Sequence, residues 1–125
     1  MSQLRDSSPI TPDLLLRAYS MGLFPMAERR ESRSVFWVSP KERGIVPLDR
    51  FHVPRRLART VKSDRYEVSV DRDFGTVIRA CAEAAPGREQ TWINAEIEDV
   101  YTTLHRMGHA HSVECRRDGE LLGGL

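Results

Sequence analysis

Apolar residues recur along this chain at two periods, and the switches between them mark the elements. Leu15, Ala18 and Tyr19 share one helical face. Thr11 precedes it with a side-chain oxygen for the free amides of a helix start, and Pro12 stands where a missing N–H costs nothing. Gly22 supplies a left-handed cap. Phe24-Pro25-Met26 is extended, because a proline restricts its predecessor, and Ala27 to Ser34 reads as a charged loop. Val35-Phe36-Trp37-Val38 predicts a short strand and Ile45-Val46 the start of another, bounded by Gly44 and Pro47. Pro54 opens a second helix with Leu57 and Val61 as its inner pair. Tyr66 to Val70 alternates at period two, the pattern of a half-buried strand.

The second half of the chain is more regular. Phe74, Val77, Ile78, Cys81, Ala82 and Ala85 repeat at helical spacing behind Asp73, and Pro86-Gly87 ends that helix. Asn94 caps a fourth helix with Ile97, Val100, Tyr101 and Leu104 as its stripe. Its acids Glu96, Glu98 and Asp99 favour the positive end of the dipole, and Gly108 ends it. His111 to Arg116 predicts a strand, Asp118-Gly119 a two-residue hairpin turn, and Glu120 to Leu125 the return. The order from Tyr66 is strand, helix, helix, strand, hairpin strand.

Composition narrows the class. With 125 residues, 40% hydrophobic and 30% charged, the chain is a soluble globular type with room for one domain, or a small segment and most of a second. No apolar run approaches the ~20 residues of a membrane span, and Met1 to Ile10 is polar, a flexible arm rather than a secretory signal. A cytoplasmic setting is expected. Cys81 and Cys115 are too few for a disulfide scaffold and predict reduced, mostly buried thiols. The net charge is only +1, but residues 50 to 65 carry a local excess of five positive charges.

That excess is ordered. Arg55, Arg59 and Lys62 are spaced i, i+4, i+7, so they stack along one helical face opposite Leu57 and Val61. Such a row rises about 10 Å. It suits two or more phosphates of a nucleic-acid strand, or simply a solvated helix face. Trp92, just before a helix cap, offers a core anchor or a stacking face for a base. His105, His109 and His111 do not make a zinc set, because Gly108 breaks the helix between the first two. Gly123-Gly124 is too short for a nucleotide loop.

Several short motifs in one order make a more specific signal. They are Met21-Gly22-Leu23-Phe24-Pro25, Phe36-Trp37-Val38-Ser39-Pro40, Thr91-Trp92-Ile93-Asn94, and Leu104 to Ser112. From about Thr11 to Leu125 the chain resembles the leucyl/phenylalanyl-tRNA–protein transferases. That resemblance implies an α/β fold: a small N-terminal α/β segment (11–62) with the basic helix, then the first half (63–125) of a GCN5-related N-acetyltransferase-like domain. It implies transfer of Leu or Phe from aminoacyl-tRNA to the N-terminal Arg or Lys of an acceptor protein, marking it for degradation. The basic helix, with Arg56 as a fourth contact, would hold the tRNA acceptor stem. Trp92 and Tyr101 would line the pocket for the terminal adenosine and its amino acid. Met26 stands where some members carry a second stacking tryptophan, and a thioether should cover a base more weakly. Trp37 is expected in the core.

No metal or organic cofactor is implied, and the complete protein is expected to be a monomer. Catalytic residues are expected downstream of Leu125, where the family carries roughly another hundred residues. The isolated chain is therefore expected to fold poorly and to transfer no amino acid. The rival readings are a non-catalytic tRNA-binding fragment and half of an acetyl-CoA-dependent acetyltransferase.

Overall fold

Two of the helix caps, at Thr11 and Asn94, behave as their side chains dictate. In a computed structural model, which describes residues 8–125 and the backbone of Leu4–Asp6, Thr11 Oγ1 accepts the Leu14 amide at 3.2 Å. It opens α1 (Pro12–Ser20), whose buried residues are Leu15 and Ala18. Gly22 then takes the left-handed conformation, φ +77°, and turns the chain into β2 (Phe24–Met26). This strand pairs antiparallel with β3 (Val35–Val38), which also pairs with β1 (Leu4–Asp6). The arm expected over residues 1–10 lies partly outside the described residues. Where it is described, it contributes β1 and a buried Ile10, whose amide donates to Glu96 Oε1 at 2.7 Å.

The middle of the chain departs from its pattern. Ile45 and Val46 form no strand, and a 3-10 turn at Leu48–Arg50 follows them. Helix α2 (Arg55–Lys62) is present, but Leu57 and Val61 are 47% and 67% exposed rather than inward-facing. The helical period is met without a partner surface: nothing in the described residues covers that apolar face, and α2 has no buried residue.

The second sheet runs β4 (Glu67–Val70), β5 (Val113–Arg117), β6 (Glu120–Gly124), all antiparallel. Here the expected burial of β4 is inverted. Val68 and Val70 are 67% and 62% exposed, while Ser69 turns inward onto the fully buried Glu114 directly opposite. The Asp118-Gly119 turn has positive φ at both residues, as a two-residue hairpin of this hand requires. Gly124 is a packing glycine. A Cβ there would stand 2.8 Å from the Val113 carbonyl oxygen and 3.1 Å from Val77 Cγ2, so only glycine lets α3 (Phe74–Ala82) lie this close to β6.

Helix α3 ends at Ala82, earlier than Pro86-Gly87 suggested. Asp73 sits at its cap position without a capping bond and instead approaches Arg116 at 3.6 Å. Cys81 is exposed and Cys115 half-buried, both free, so the expected burial of the thiols fails at Cys81. Helix α4 (Ala95–Arg106) supplies the centre of the core through Ile97, Val100 and Leu104. These join Ile10, Leu15, Ala27 and Val35 in one apolar cluster, against which Trp37 and Tyr101 pack. Residues from both sides of position 62 thus share one core. Among the described residues, no helix is long and apolar enough to cross a membrane.

Asn94 ties the loop between β2 and β3 to the start of α4. Its Oδ1 accepts the Ile97 amide at 2.9 Å and its Nδ2 donates to the Ser32 carbonyl at 2.9 Å, with the residue 1% exposed. Asn94→Ala removes the cap and orphans the Ser32 carbonyl. A loss of about 2 kcal/mol or more is expected in a denaturant melt. Unchanged stability would mean that water or a neighbour replaces both bonds.

Candidate functional site

The loop after β2 is laced onto the start of α4. The Ala27 amide donates to the Trp92 carbonyl at 2.9 Å, and Arg30 Nη1 donates to the Ile93 carbonyl at 3.0 Å. Arg30 Nη2 also meets Glu98 Oε2 at 2.5 Å. Met26 is therefore one residue from the backbone bond to Trp92. The Met26 side chain is half-buried on β2 beside Phe36, its partner in register.

Trp92 is 41% exposed, too open for the core anchor that its position also allowed. It lines an apolar cleft of about 180 Å³ together with Phe74, Ile78, Tyr101, His111 and Leu125. Nine residues separate Trp92 from Tyr101, yet both line one cleft, with the chain bending at Trp92 before α4 begins. Met26 is not in that lining.

The Tyr101 ring lies edge-on to Tyr19 of α1, with centroids 6.4 Å apart, and the two hydroxyls hydrogen-bond. Burial first, and then the Tyr19 hydroxyl, hold the Tyr101 phenol far above the usual range. It stays protonated and remains able to donate. Tyr19, Tyr101, Phe74 and His111 also line an adjoining cleft of about 440 Å³, so an elongated ligand has room on both sides of Tyr101.

The floor beneath α3 is polar and closed. Glu114 is 0% exposed, and its Oε1 accepts from Ser112 Oγ at 2.6 Å and the Asp73 amide at 3.1 Å. Its Oε2 accepts from Ser69 Oγ at 2.6 Å. These bonds, Ser112's foremost, hold the carboxyl down at about 2, against the opposing effect of burial. Arg116 adds a bond from Nη1 to Ser69 Oγ at 3.0 Å. The network pins β4, β5 and the start of α3 to one another, which sets the cleft wall.

Arg55, Arg56, Arg59 and Lys62 are solvent-exposed on α2, and none of them lines the Trp92 cleft. The structure thus separates a cationic helix from an apolar cleft, as the two chemistries require. Sequence reading missed Tyr19, Phe74, Asp71 and His111 as cleft or rim residues. For His111 the only signal was the His109-Ala110-His111-Ser112 run, which reads equally as strand packing, while Tyr19 and Phe74 read as ordinary positions on apolar helical faces. Among the described residues, no group of three or more His, Cys, Asp or Glu converges as a metal site.

Comparison with known proteins gives the family. Residues 45–125 match the family described as leucyl/phenylalanyl-tRNA protein transferase, and residues 8–41 match its N-terminal domain. A leucyl/phenylalanyl-tRNA--protein transferase of Nitrobacter winogradskyi is 57% identical over 125 residues, covering the whole chain and 56% of that protein. One from Rhizorhabdus wittichii is 58% identical over 93% of the chain and 47% of its own length. Another, from Rhodopseudomonas palustris, is 57% identical over 97% of the chain and 55% of its length. The chain spans about half the length of the curated relatives it matches. With more than half of its residues matched in one continuous stretch, the chain belongs to the leucyl/phenylalanyl-tRNA protein transferase family.

Proposed function

We propose that these residues form the aminoacyl-tRNA-binding half of an aminoacyltransferase, which moves Leu or Phe from tRNA to the N-terminal Arg or Lys of an acceptor protein. The single observation that carries this reading is the convergence of Trp92 and Tyr101 on one apolar cleft. Trp92 stacks on the terminal adenine, and the protonated Tyr101 hydroxyl donates to the ribose or the ester. The apolar wall of Phe74, Ile78 and Leu125 admits a leucyl or phenylalanyl side chain and gives a charged one no partner. Discrimination there is by size and shape, at about 1–3 kcal/mol per methylene. The exposed cations of α2 grip the acceptor-stem phosphates, which positions the tRNA without reading its sequence.

The reaction is aminolysis of an ester. The acceptor's α-amine attacks the carbonyl carbon, and the 3′ oxygen of the adenosine leaves. Holding both partners in one cleft converts a bimolecular step into a nearly unimolecular one. Strand, two helices and a hairpin in this order support the first half of a GCN5-related acyltransferase scaffold, and the setting is cytoplasmic.

Trp92→Ala tests the reading. Stacking is worth about 1–3 kcal/mol per base, so calorimetry with an aminoacyl-adenosine analogue should show about tenfold weaker binding or more. Because Trp92 is half-open to solvent, Tm should move by only a few degrees. Unchanged affinity would reject the cleft as the adenosine site. Acetyl-CoA, added to the parent chain, should give no thermal shift; a shift with acetyl-CoA and none with the analogue would favour the acetyltransferase reading.

A further inference from the structure

Resting on the function proposed above, we infer that His111, oriented by Asp71, is a catalytic base at the rim of the cleft and carries the proton from the attacking amine to the leaving 3′ oxygen. His111 Nδ1 lies 2.7 Å from Asp71 Oδ2. Asp71 Oδ1 accepts the Ser112 amide at 3.0 Å, and the Asp71 amide donates to the Ser112 carbonyl at 2.9 Å. The carboxylate is thus clamped on both sides of its own backbone.

That clamp is built at a cost. Asp71 holds a left-handed backbone, φ +58°, at the end of β4, a conformation non-glycine residues seldom take. Asparagine and aspartate tolerate it best. The result aims a carboxylate at an imidazole 40 residues away in sequence. Its bond to His111 foremost, and then the Ser112 amide, keep the Asp71 carboxyl below the usual range. It is therefore an anion at neutral pH, and an anion can only accept. Nδ1 of His111 must carry the hydrogen, which leaves the lone pair on Nε2.

The neighbouring histidine has a different part. His105 Nδ1 is 2.8 Å from the Ala110 carbonyl, and its ring stacks on Phe74 at 4.3 Å with planes 6° apart. It is half-buried, with Nδ1 3.7 Å from Asp71 Oδ1. A carbonyl and an aromatic face fix it in place. His111, by contrast, is 58% exposed in its side chain and lines both clefts that Tyr101 divides. The groups that share its surroundings are Asp71, His105, Tyr101, Tyr19 and His109. Of these, only Asp71 is an anion.

The chemistry balances without a further reactant. The nitrogen lone pair of the acceptor's α-amine forms the C–N bond to the ester carbonyl carbon. The C–O bond to the 3′ oxygen breaks, and its electron pair stays on that oxygen. The proton shed by nitrogen passes to His111 Nε2 and from there to the 3′ oxygen, returning the imidazole to its neutral form. A base and acid in one group suits an imidazole, whose ordinary titration range lies near neutrality.

The test uses these 125 residues continued by the remaining part of the Nitrobacter winogradskyi relative, measuring transfer of labelled leucine from Leu-tRNA to an Arg-starting peptide. A positioned base is worth about 10² or more in rate. His111→Gln and His111→Ala should each lower kcat about 100-fold and leave KM for Leu-tRNA within a few-fold. Added imidazole should restore His111→Ala, since a half-exposed site admits it, and should leave His111→Gln slow. Asp71→Asn should fall between the parent and His111→Ala. Full kcat in His111→Ala, or a loss untouched by imidazole and matched by a lower Tm, would overturn the assignment. Failure of the parent to bind the aminoacyl-adenosine analogue is a separate result: it would remove the proposed function and this role with it.

Discussion

Replacing Arg55, Arg59 and Lys62 together by alanine is expected to weaken binding of every tRNA by roughly 10²- to 10³-fold near 50 mM salt. Each phosphate contact contributes about 0.7–0.9 to the slope of log K against log salt, so three lost contacts flatten that slope by roughly 2–3. The effect should be uniform across tRNAs, because phosphate contacts carry no sequence information. Stability should change little. Helix α2 buries no residue, and alanine is a better helix former than the side chains it replaces. Fluorescence anisotropy with a labelled tRNA at two salt concentrations reads both quantities. Parallel slopes for parent and variant would show that the cationic row is only a solvated face.

Glu114→Gln is expected to lower Tm by roughly 10 °C or more, the largest stability effect of any single substitution considered. A carboxylate accepts three bonds here, from Ser112, Asp73 and Ser69. Glutamine keeps one accepting oxygen and turns two amide hydrogens toward the Ser69 hydroxyl, which already accepts from Arg116. One of those hydrogens has no acceptor in a site without water access. The pH dependence has a defined sign. The folded pKa of about 2 lies below the ordinary 4.5, so the stabilisation is fully present above about 4.5 and is lost as pH falls toward 2. The parent's Tm should therefore drop steeply across that window, and the glutamine variant should lack this component. Identical acid profiles would mean that the network contributes nothing to the folded state.

Both predictions turn on groups whose legibility in the sequence differed. The row of Arg55, Arg59 and Lys62 was readable because i, i+4, i+7 spacing needs no knowledge of neighbours. Glu114 was not. A glutamate between Val113 and Cys115 reads as the solvent side of a strand, and only pairing with Ser69 places it inside. Trp92 fell between these cases: its exposure could not be read, but the cap at Asn94 that positions it could. The same division explains the unexpected exposure of Leu57, Val61, Val68 and Val70. Their periodicity correctly announced a helix and a strand. Whether an apolar face is covered depends on what lies across from it, and a single element carries no record of that.

What this sequence determined by itself is local: the Thr11 and Asn94 caps, the left-handed stops at Gly22 and Gly108, the Asp118-Gly119 hairpin, and the motifs that identify the family. Each depends on bonds between residues no more than a few positions apart, so side-chain chemistry and spacing suffice. Only the tertiary structure decided which polar groups became a site. The Tyr19–Tyr101 hydroxyl pair spans 82 residues, the Asp71–His111 contact 40, and the Ser69–Glu114 bond 45. Such contacts exist because sheet register and core packing bring distant strands together. A shift of β5 by one residue would turn Glu114 out to solvent and dissolve the network beneath the cleft.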